Sequence, residues 1–569
     1  MKKTKLLTKF VIAILAATLC LSSVGCGASR NEAIRDDRTI NVKVYKGGYG
    51  DSWIYSLADK FEEAYKEQGY HVNICTPSSD LNGTVAAQEL YDRNSDWADV
   101  YICPLQNTRT LVYGADYADN GKNPLVADLT DLVWNQKPIG FDGKEEDVAI
   151  KNKIMEVCDD SRTCYDGKKY LLNRDITVGG MIVNTKKLAT FGYNDLPKTS
   201  GEMFEMFDTI QSTGGNIRPL TYIGTSNGYH LHVSHCWFAQ YTGEENYEKF
   251  WSYIDENGEP MISNGYEVYD DKGLDEMMLA LYRMYDPEYA AKGSGTNTLS
   301  LMHSKVMNET GGAVFAPDGD WAYNELLVDY RDQIGDLAFM NIPVISALGT
   351  KLFGAGTSYN FSDEKCEEIL RWTIGKVDEG KSENEIVSLA QSEKSWTLAL
   401  KDVTEIEKAR GIYCNRSGEG GNVCVAERSQ NKDIAALFLR MMFSDDAAVD
   451  YNRYSNGYMA VKTDFSKYKQ NNYSQAFNKI ISNKYVYGVY QVPKGIRINV
   501  GPNSLLAKAG TFLVEDIIVD GVTAFDNEGN KIKSGFSAYE QAAAARMADE
   551  RASIKRQWDQ RVRDAGLTK

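Results

Sequence analysis

The chain has five histidines, and three of them stand together in "YHLHVSHCW", Tyr229 to Trp237: His230, His232 and His235. Imidazole is the commonest metal ligand, so the cluster raises the question of a metal-dependent enzyme. On a helix, His232 and His235 share a face while His230 points elsewhere. Histidines at i, i+2 and i+5 do not converge on one ion without a bend. The stretch also lacks the positioned carboxylate of an H-E-x-x-H site. No metal is therefore expected. Two readings stay open: a polar wall of a ligand site that one histidine touches, or structural histidines with satisfied ring nitrogens.

Carboxylates come in close pairs at Asp318/Asp320 and Asp159/Asp160. Glycoside hydrolysis uses two, and they act from opposite sides of the sugar. Two acids in one loop are a poor template for that. No C-x-x-C pair and no H-E-x-x-H stretch is present. No catalytic residue, no enzyme activity and no cofactor are expected.

Sugars offer apolar C–H faces that stack on indole and phenol rings, and hydroxyls that need a few placed polar partners. Tyr49 and Trp53 stand in and just after "GGYGDSW". Polar partners are available from Gln106 and Asn107, from Asn173 and Asp175 in "NRD", and from Arg416 and Glu419 in "NRSGEGGN".

These groups are carried by a chain of 569 residues with 43% hydrophobic and 25% charged residues, enough for more than one globular domain. The formal net charge of −16 argues against a nucleic-acid partner. Four lysines and then an apolar run from Phe10 to Leu21 form a signal-peptide layout. Ser23-Val24-Gly25-Cys26 resembles a bacterial lipobox, in which the cysteine thiol receives the lipid. Cleavage before Cys26 would remove four lysines and no acid, taking the charge to −20. Lipidation of Cys26 would then tether the mature chain to the membrane. Among the remaining cysteines, Cys158/Cys164 and Cys414/Cys424 are close enough in sequence for disulfides to be considered.

Further along, "RTINVKVYKGG" alternates like a strand running into a loop. "DSWIYSLADKFEEAYKEQGY" places Ile54, Leu57, Ala58, Phe61, Ala64 and Tyr65 on one helical face. "HVNICTP", "TVAAQELYDRNSDW" and "ADVYICP" continue as strand, helix, strand. That order predicts an α/β domain whose ligands sit beyond the carboxyl ends of the strands, at Gly47–Trp53 and Cys103–Asn107.

Longer motifs carry a resemblance. "DGKKYLLNRDITVGGMIVNTKKLATFGYNDLPKTSGEMFEMFDTIQS", "GGAVFAPDGDWAYNEL", "LAFMNIPV" and "GNVCVAERSQNKDIAALFLRMMFSDDAAVDYNRYSNGYMAV" together resemble bacterial extracellular solute-binding proteins of the maltose-binding type, over most of residues 38–465. Thr199 with Glu202 three residues later fits a capping box at the start of one of these helices. The resemblance implies a two-lobed α/β fold with interleaved crossings and a cleft between the lobes. Residues 1–25 would be the signal peptide and 26–37 a lipidated tether. Residues 38–174 and 350–464 would form lobe 1, with 360–412 an inserted helical stretch. Residues 175–349 and 465–569 would form lobe 2. Crossings are expected near Arg174–Thr177, Thr350 and Asp464. The tail "SAYEQAAAARMADERASIKRQWDQRV" reads as a solvated terminal helix.

The resemblance also implies roles. Trp321 occupies the family's Gly-x-Trp position beside the cleft, with Tyr323 two residues on, and Tyr229 and His232 fall where ligand contacts are common. The implied function is a monomeric, lipid-anchored substrate-binding component of an ABC importer. It would hold an oligosaccharide at the outer face of the cytoplasmic membrane and deliver it to permease subunits. A peptide- or polyamine-binding protein and a glycan-active surface enzyme are the alternatives.

Overall fold

The computed structural model describes residues 32–489, apart from 93–94, 106–110, 112–123, 160–162, 227, 418–420 and 470, and residues 536–564. Strand β1 (Thr39–Tyr45) runs into helix α1 (Ser52–Ala64), then β2 (His71–Ser78), α2 (Gly83–Tyr91) and β3 (Val100–Cys103). Residues of β1 are buried on both faces, as helix-covered parallel strands require. After β4 (Leu172–Asn173) comes the two-residue strand β5 (Asp175–Ile176), and then the long strand β6 (Val178–Asn184), buried throughout.

Helix α3 (Ser200–Ser212), β7 (Ile217–Leu220), α4 (His230–Thr242), α5 (Lys272–Met284) and α6 (Leu299–Met307) follow. Then come β8 (Gly312–Gly319), α7 (Ala322–Asp329) and β9 (Leu337–Met340). Thr199 caps α3, accepting from the Glu202 amide at 3.1 Å, while the Glu202 carboxylate reaches the Lys198 amide at 2.7 Å. The return arm of the expected capping box is thus one residue early.

Three helices, α8 (Asp363–Asp378), α9 (Glu383–Lys394) and α10 (Leu400–Gly411), lead into β10 (Ile412–Asn415). Strand β11 (Asn422–Val425), α11 (Lys432–Met442), α12 (Asp445–Ser455), β12 (Tyr458–Met459), α13 (Asn472–Ile481), β13 (Tyr487–Val489) and α14 (Phe536–Asp564) complete the order.

Two sheets result. The first has order β2-β1-β3-β11-β4, with β2, β1 and β3 parallel and β11 antiparallel to β3 and β4. The second has order β13-β10-β6-β8-β7, with β9 also paired to β6. Between them β5 and β12 form a two-stranded antiparallel ribbon, with Tyr458 opposite Ile176 and Met459 opposite Asp175. This ribbon lies at the expected first crossing.

The second crossing is not near Thr350. Cys366, Ile369, Leu370 and Ile374 of α8, Ile386 of α9 and Val403 and Ile406 of α10 pack with Met203, Phe207 and Trp237 in the core of the second lobe. Strand β10 then pairs with β6. The chain returns to the first sheet only between Asn415 and Asn422, so residues 360–412 belong to the second lobe. The physical reason is an apolar face on each of the three helices that completes the second core.

The terminal helix α14 also departs from the solvated reading. Ala543, Met547, Ile554, Trp558 and Val562 are buried in the same core. Their spacing makes one stripe along the helix, and the Trp558 indole N–H donates to the Ile262 carbonyl at 2.7 Å. The eight described cysteines, Cys158, Cys164, Cys414 and Cys424 among them, are free thiols.

Candidate functional site

Strand β8 ends in Asp318-Gly319, followed by Asp320 and Trp321 at the start of α7, and this turn delivers its side chains to the junction of the lobes. Gly319 is required here by close approach: a Cβ on it would stand 2.0 Å from Trp321 Cζ3. The indole therefore folds back over the strand end, half-buried. Tyr229, just before α4, meets Trp321 edge-on with ring centroids 6.1 Å apart, and His232 lies 5.9 Å from the same indole.

The histidine cluster resolves into three separate roles. His230 Nε2–H donates to the Ile223 carbonyl at 3.2 Å. His232 Nδ1–H donates to the Asp318 carbonyl at 3.1 Å, and its Nε2 accepts from Arg416 Nη1 at 3.0 Å. His235 Nδ1 bonds the Tyr247 hydroxyl at 2.6 Å, and its ring stacks on Trp251. Burial holds His230 down at about 4 and, with Arg416 adding to it, His235 down at about 3. The same two causes, burial first and then the guanidinium, lower His232. All three are neutral at pH 7. Among the described residues no group of three His, Cys, Asp or Glu side chains is arranged to hold a metal ion.

The first lobe meets this surface through the loop after β1. The Tyr49 hydroxyl donates to Asp320 Oδ1 at 2.9 Å, and Asn324 Nδ2 donates to the Gly48 carbonyl at 2.8 Å. The Val178 amide also donates to Asp320 Oδ1, at 3.1 Å. Asp318 Oδ2 pairs with His303 Nε2 at 2.7 Å. Burial, then the Asp318 charge, raises Glu325 to about 7, and burial raises Asp320 to about 7.

The structure thus brings Tyr49, Tyr229, His232, Trp321 and Arg416 together. Others fall elsewhere. Trp53 is buried in the first core, edge-on to Tyr451 at 5.3 Å and under the Arg174 guanidinium at 4.8 Å. Asn173 is buried and bonds the Cys158 carbonyl. Asp175 lies in the hinge ribbon, paired with Arg174 at 2.5 Å. Tyr323 turns toward Tyr473, 5.1 Å away. Gln106, Asn107, Glu419 and Cys26 lie outside the described residues. Gly48, Asp320, Asn324 and Glu325 were not singled out as ligand-site residues from the sequence. The Asp-x-Asp-Trp order at the strand end was the available signal for Asp320.

Two α/β lobes joined through a hinge ribbon, with aromatic and polar side chains at their junction, define the fold of bacterial extracellular solute-binding proteins. No family model matches the chain, and no curated protein matches it. Solved structures do. The bacterial solute receptor AcbH, described as having an exclusive preference for β-D-galactopyranose, aligns with a TM-score of 0.53 at 12% identity, over 90% of this chain and 99% of AcbH. The apo form of RafE from Streptococcus pneumoniae aligns with a TM-score of 0.52 at 11% identity, over 91% of this chain and all of RafE. A probable secreted solute-binding lipoprotein from Streptomyces coelicolor gives 0.51 at 12% identity, over 90% and 99% of the two chains.

Proposed function

We propose that this protein is the lipid-anchored substrate-binding component of an ABC importer and that it captures a carbohydrate. The observation that carries the reading is the Trp321–Tyr229 wall at the lobe junction, with His232 and Arg416 beside it. Rings of this kind offer faces to sugar C–H groups, and the Arg416 guanidinium, held in place by the His232 ring, offers a partner for hydroxyls. The ligands named for AcbH and for RafE in complex with raffinose are sugars, which favours the same class.

Hydrolysis is disfavoured by the carboxylates themselves. Asp318 is committed to His303 and Asp320 to Tyr49, so the two do not flank a space where a glycosidic bond would lie. Closure of the lobes around a sugar would give the permease subunits a conformation to recognise. The anchor reading rests on Ser23-Val24-Gly25-Cys26 after a signal-like segment. Cys26 would hold the protein at the outer face of the cytoplasmic membrane. Among the described residues no helix is long and apolar enough to cross a membrane.

A thermal-shift screen over mono- and oligosaccharides, peptides and polyamines tests the ligand class. A ligand at one hundred times its Kd adds about 2.7 kcal/mol of stability. A stabilising sugar supports the reading, and stabilisation by peptides or polyamines alone overturns it.

A further inference from the structure

Four carboxyl side chains crowd the lobe junction: Asp175, Asp318, Asp320 and Glu325. Asp175 has the Arg174 guanidinium at 2.5 Å, and Asp318 has the His303 imidazole at 2.7 Å. Asp320 is different. It is buried, and among the described residues its side chain has only neutral partners, the Tyr49 hydroxyl at 2.9 Å and the Val178 amide at 3.1 Å. Tyr49 belongs to the first lobe and Asp320 to the second. The hydrogen bond therefore spans the cleft beside the β5–β12 hinge ribbon.

We propose that Asp320 is a proton-operated latch between the lobes: protonated, it rests in the closed junction and holds Tyr49; ionised, it draws water and favours opening. The groups facing it come from five places. They are Tyr49 from the loop after β1, Asp175 of β5, Tyr451 of α12, Tyr458 of β12 and Tyr473 of α13. None is a cation. Arg174 stands one step back, engaged with Asp175 and over the rings of Trp53 and Tyr451. An ionised Asp320 in the closed junction thus has no counter-charge in contact and the Asp175 carboxylate nearby, an arrangement that disfavours the charged form.

The sign follows from which state binds the proton more tightly. Burial, opposed by the Val178 amide and Tyr49 hydrogen bonds, puts the closed-state carboxyl at about 7 against an ordinary 3.8. In the open state it meets water and returns toward the ordinary range. Closure therefore takes up a proton between those values. The closed-to-open ratio falls by up to tenfold per pH unit through that window as pH rises, and levels off above about 7. Tyr49, raised well above its ordinary value by burial and then by Asp320, stays a hydroxyl donor throughout. The latch concerns closure alone, so it holds for any class of small ligand.

Hydrogen exchange on the full chain without ligand, from pH 5 to 8 and corrected for intrinsic exchange, tests it. The amides of Gly50, bonded to the Gly47 carbonyl, and of Val178, bonded to Asp320, report the junction. Protection should fall by up to tenfold per pH unit between 5 and 7. Asp320→Asn should keep high protection with a much reduced slope, any remainder belonging to Glu325. A flat wild-type profile overturns the latch. So does the wild-type slope persisting in full in Asp320→Asn. Should Asp320→Asn fail to fold, Tyr49→Phe serves as the second variant. It breaks the contact from the first lobe and should lower protection at every pH; unchanged protection contradicts the latch.

Discussion

Gly48 of the first lobe lies directly against Trp321 of the second: a Cβ on Gly48 would stand 2.9 Å from Trp321 Cδ1 and 2.7 Å from Glu325 Oε1. The Glu325 carboxylate is the end of a flexible side chain and can move aside. The indole is wedged against Gly319 and cannot. Gly48→Val should therefore hold the lobes apart. Overpacking of this kind costs about 1–3 kcal/mol, and if that falls on closure it weakens ligand binding roughly five- to 150-fold. Calorimetric titration beside a melting curve checks it. A loss of Tm with unchanged affinity would mean that Gly48 serves folding and not closure.

The buried histidines predict acid sensitivity. An imidazole whose folded pKa is depressed binds its proton more readily when unfolded, so its contribution to stability is lost as pH falls below about 6.5. For His230, held at about 4 by burial, the loss at pH 5 is about 2 kcal/mol. Urea unfolding at pH 7 and pH 5 should show His230→Gln losing about 2 kcal/mol less than the wild type over that interval. An equal loss in both would remove His230 from the acid response.

Docking of the terminal helix makes a further prediction. Trp558 is 1% exposed and bonded to Ile262. Trp558→Ala should cost about 3–5 kcal/mol of stability and leave ligand affinity in the surviving folded protein unchanged. Were α14 a solvated appendage, the same change would leave unfolding by urea unaltered.

Much of the fold was legible. The alternation in "RTINVKVYKGG" and the apolar stripe in "DSWIYSLADKFEEAYKEQGY" gave β1 and α1, because local pattern and burial agree there. The lobe that owns residues 360–412 was not legible. The faces of α8, α9 and α10 say that they are buried but not against which sheet. Trp53 illustrates the same limit: its place on α1 allows cleft or core, and the Arg174 and Tyr451 contacts that decide it come from about 120 and 400 residues away in the chain. In the tail, alanine and charged residues dominate the composition, while five buried apolar positions set the behaviour.

Membrane attachment is read from the lipobox alone. Cys26→Ala should abolish lipid labelling and move the protein from the membrane fraction to the soluble one. Membrane association that persists without lipid would refute the assignment.

Trp321→Ala is the most direct test of sugar capture. With the sugar that gives the largest shift in the thermal screen, titration of the purified variant should show affinity weakened about thirtyfold, the effect of truncating an aromatic anchor worth about 2 kcal/mol. Its melting temperature should stay close to that of the wild type, since the indole is half-buried and lies at the lobe junction. An unchanged Kd together with a collapsed melting temperature would contradict the site, making Trp321 a packing residue and removing the aromatic wall on which the carbohydrate reading rests.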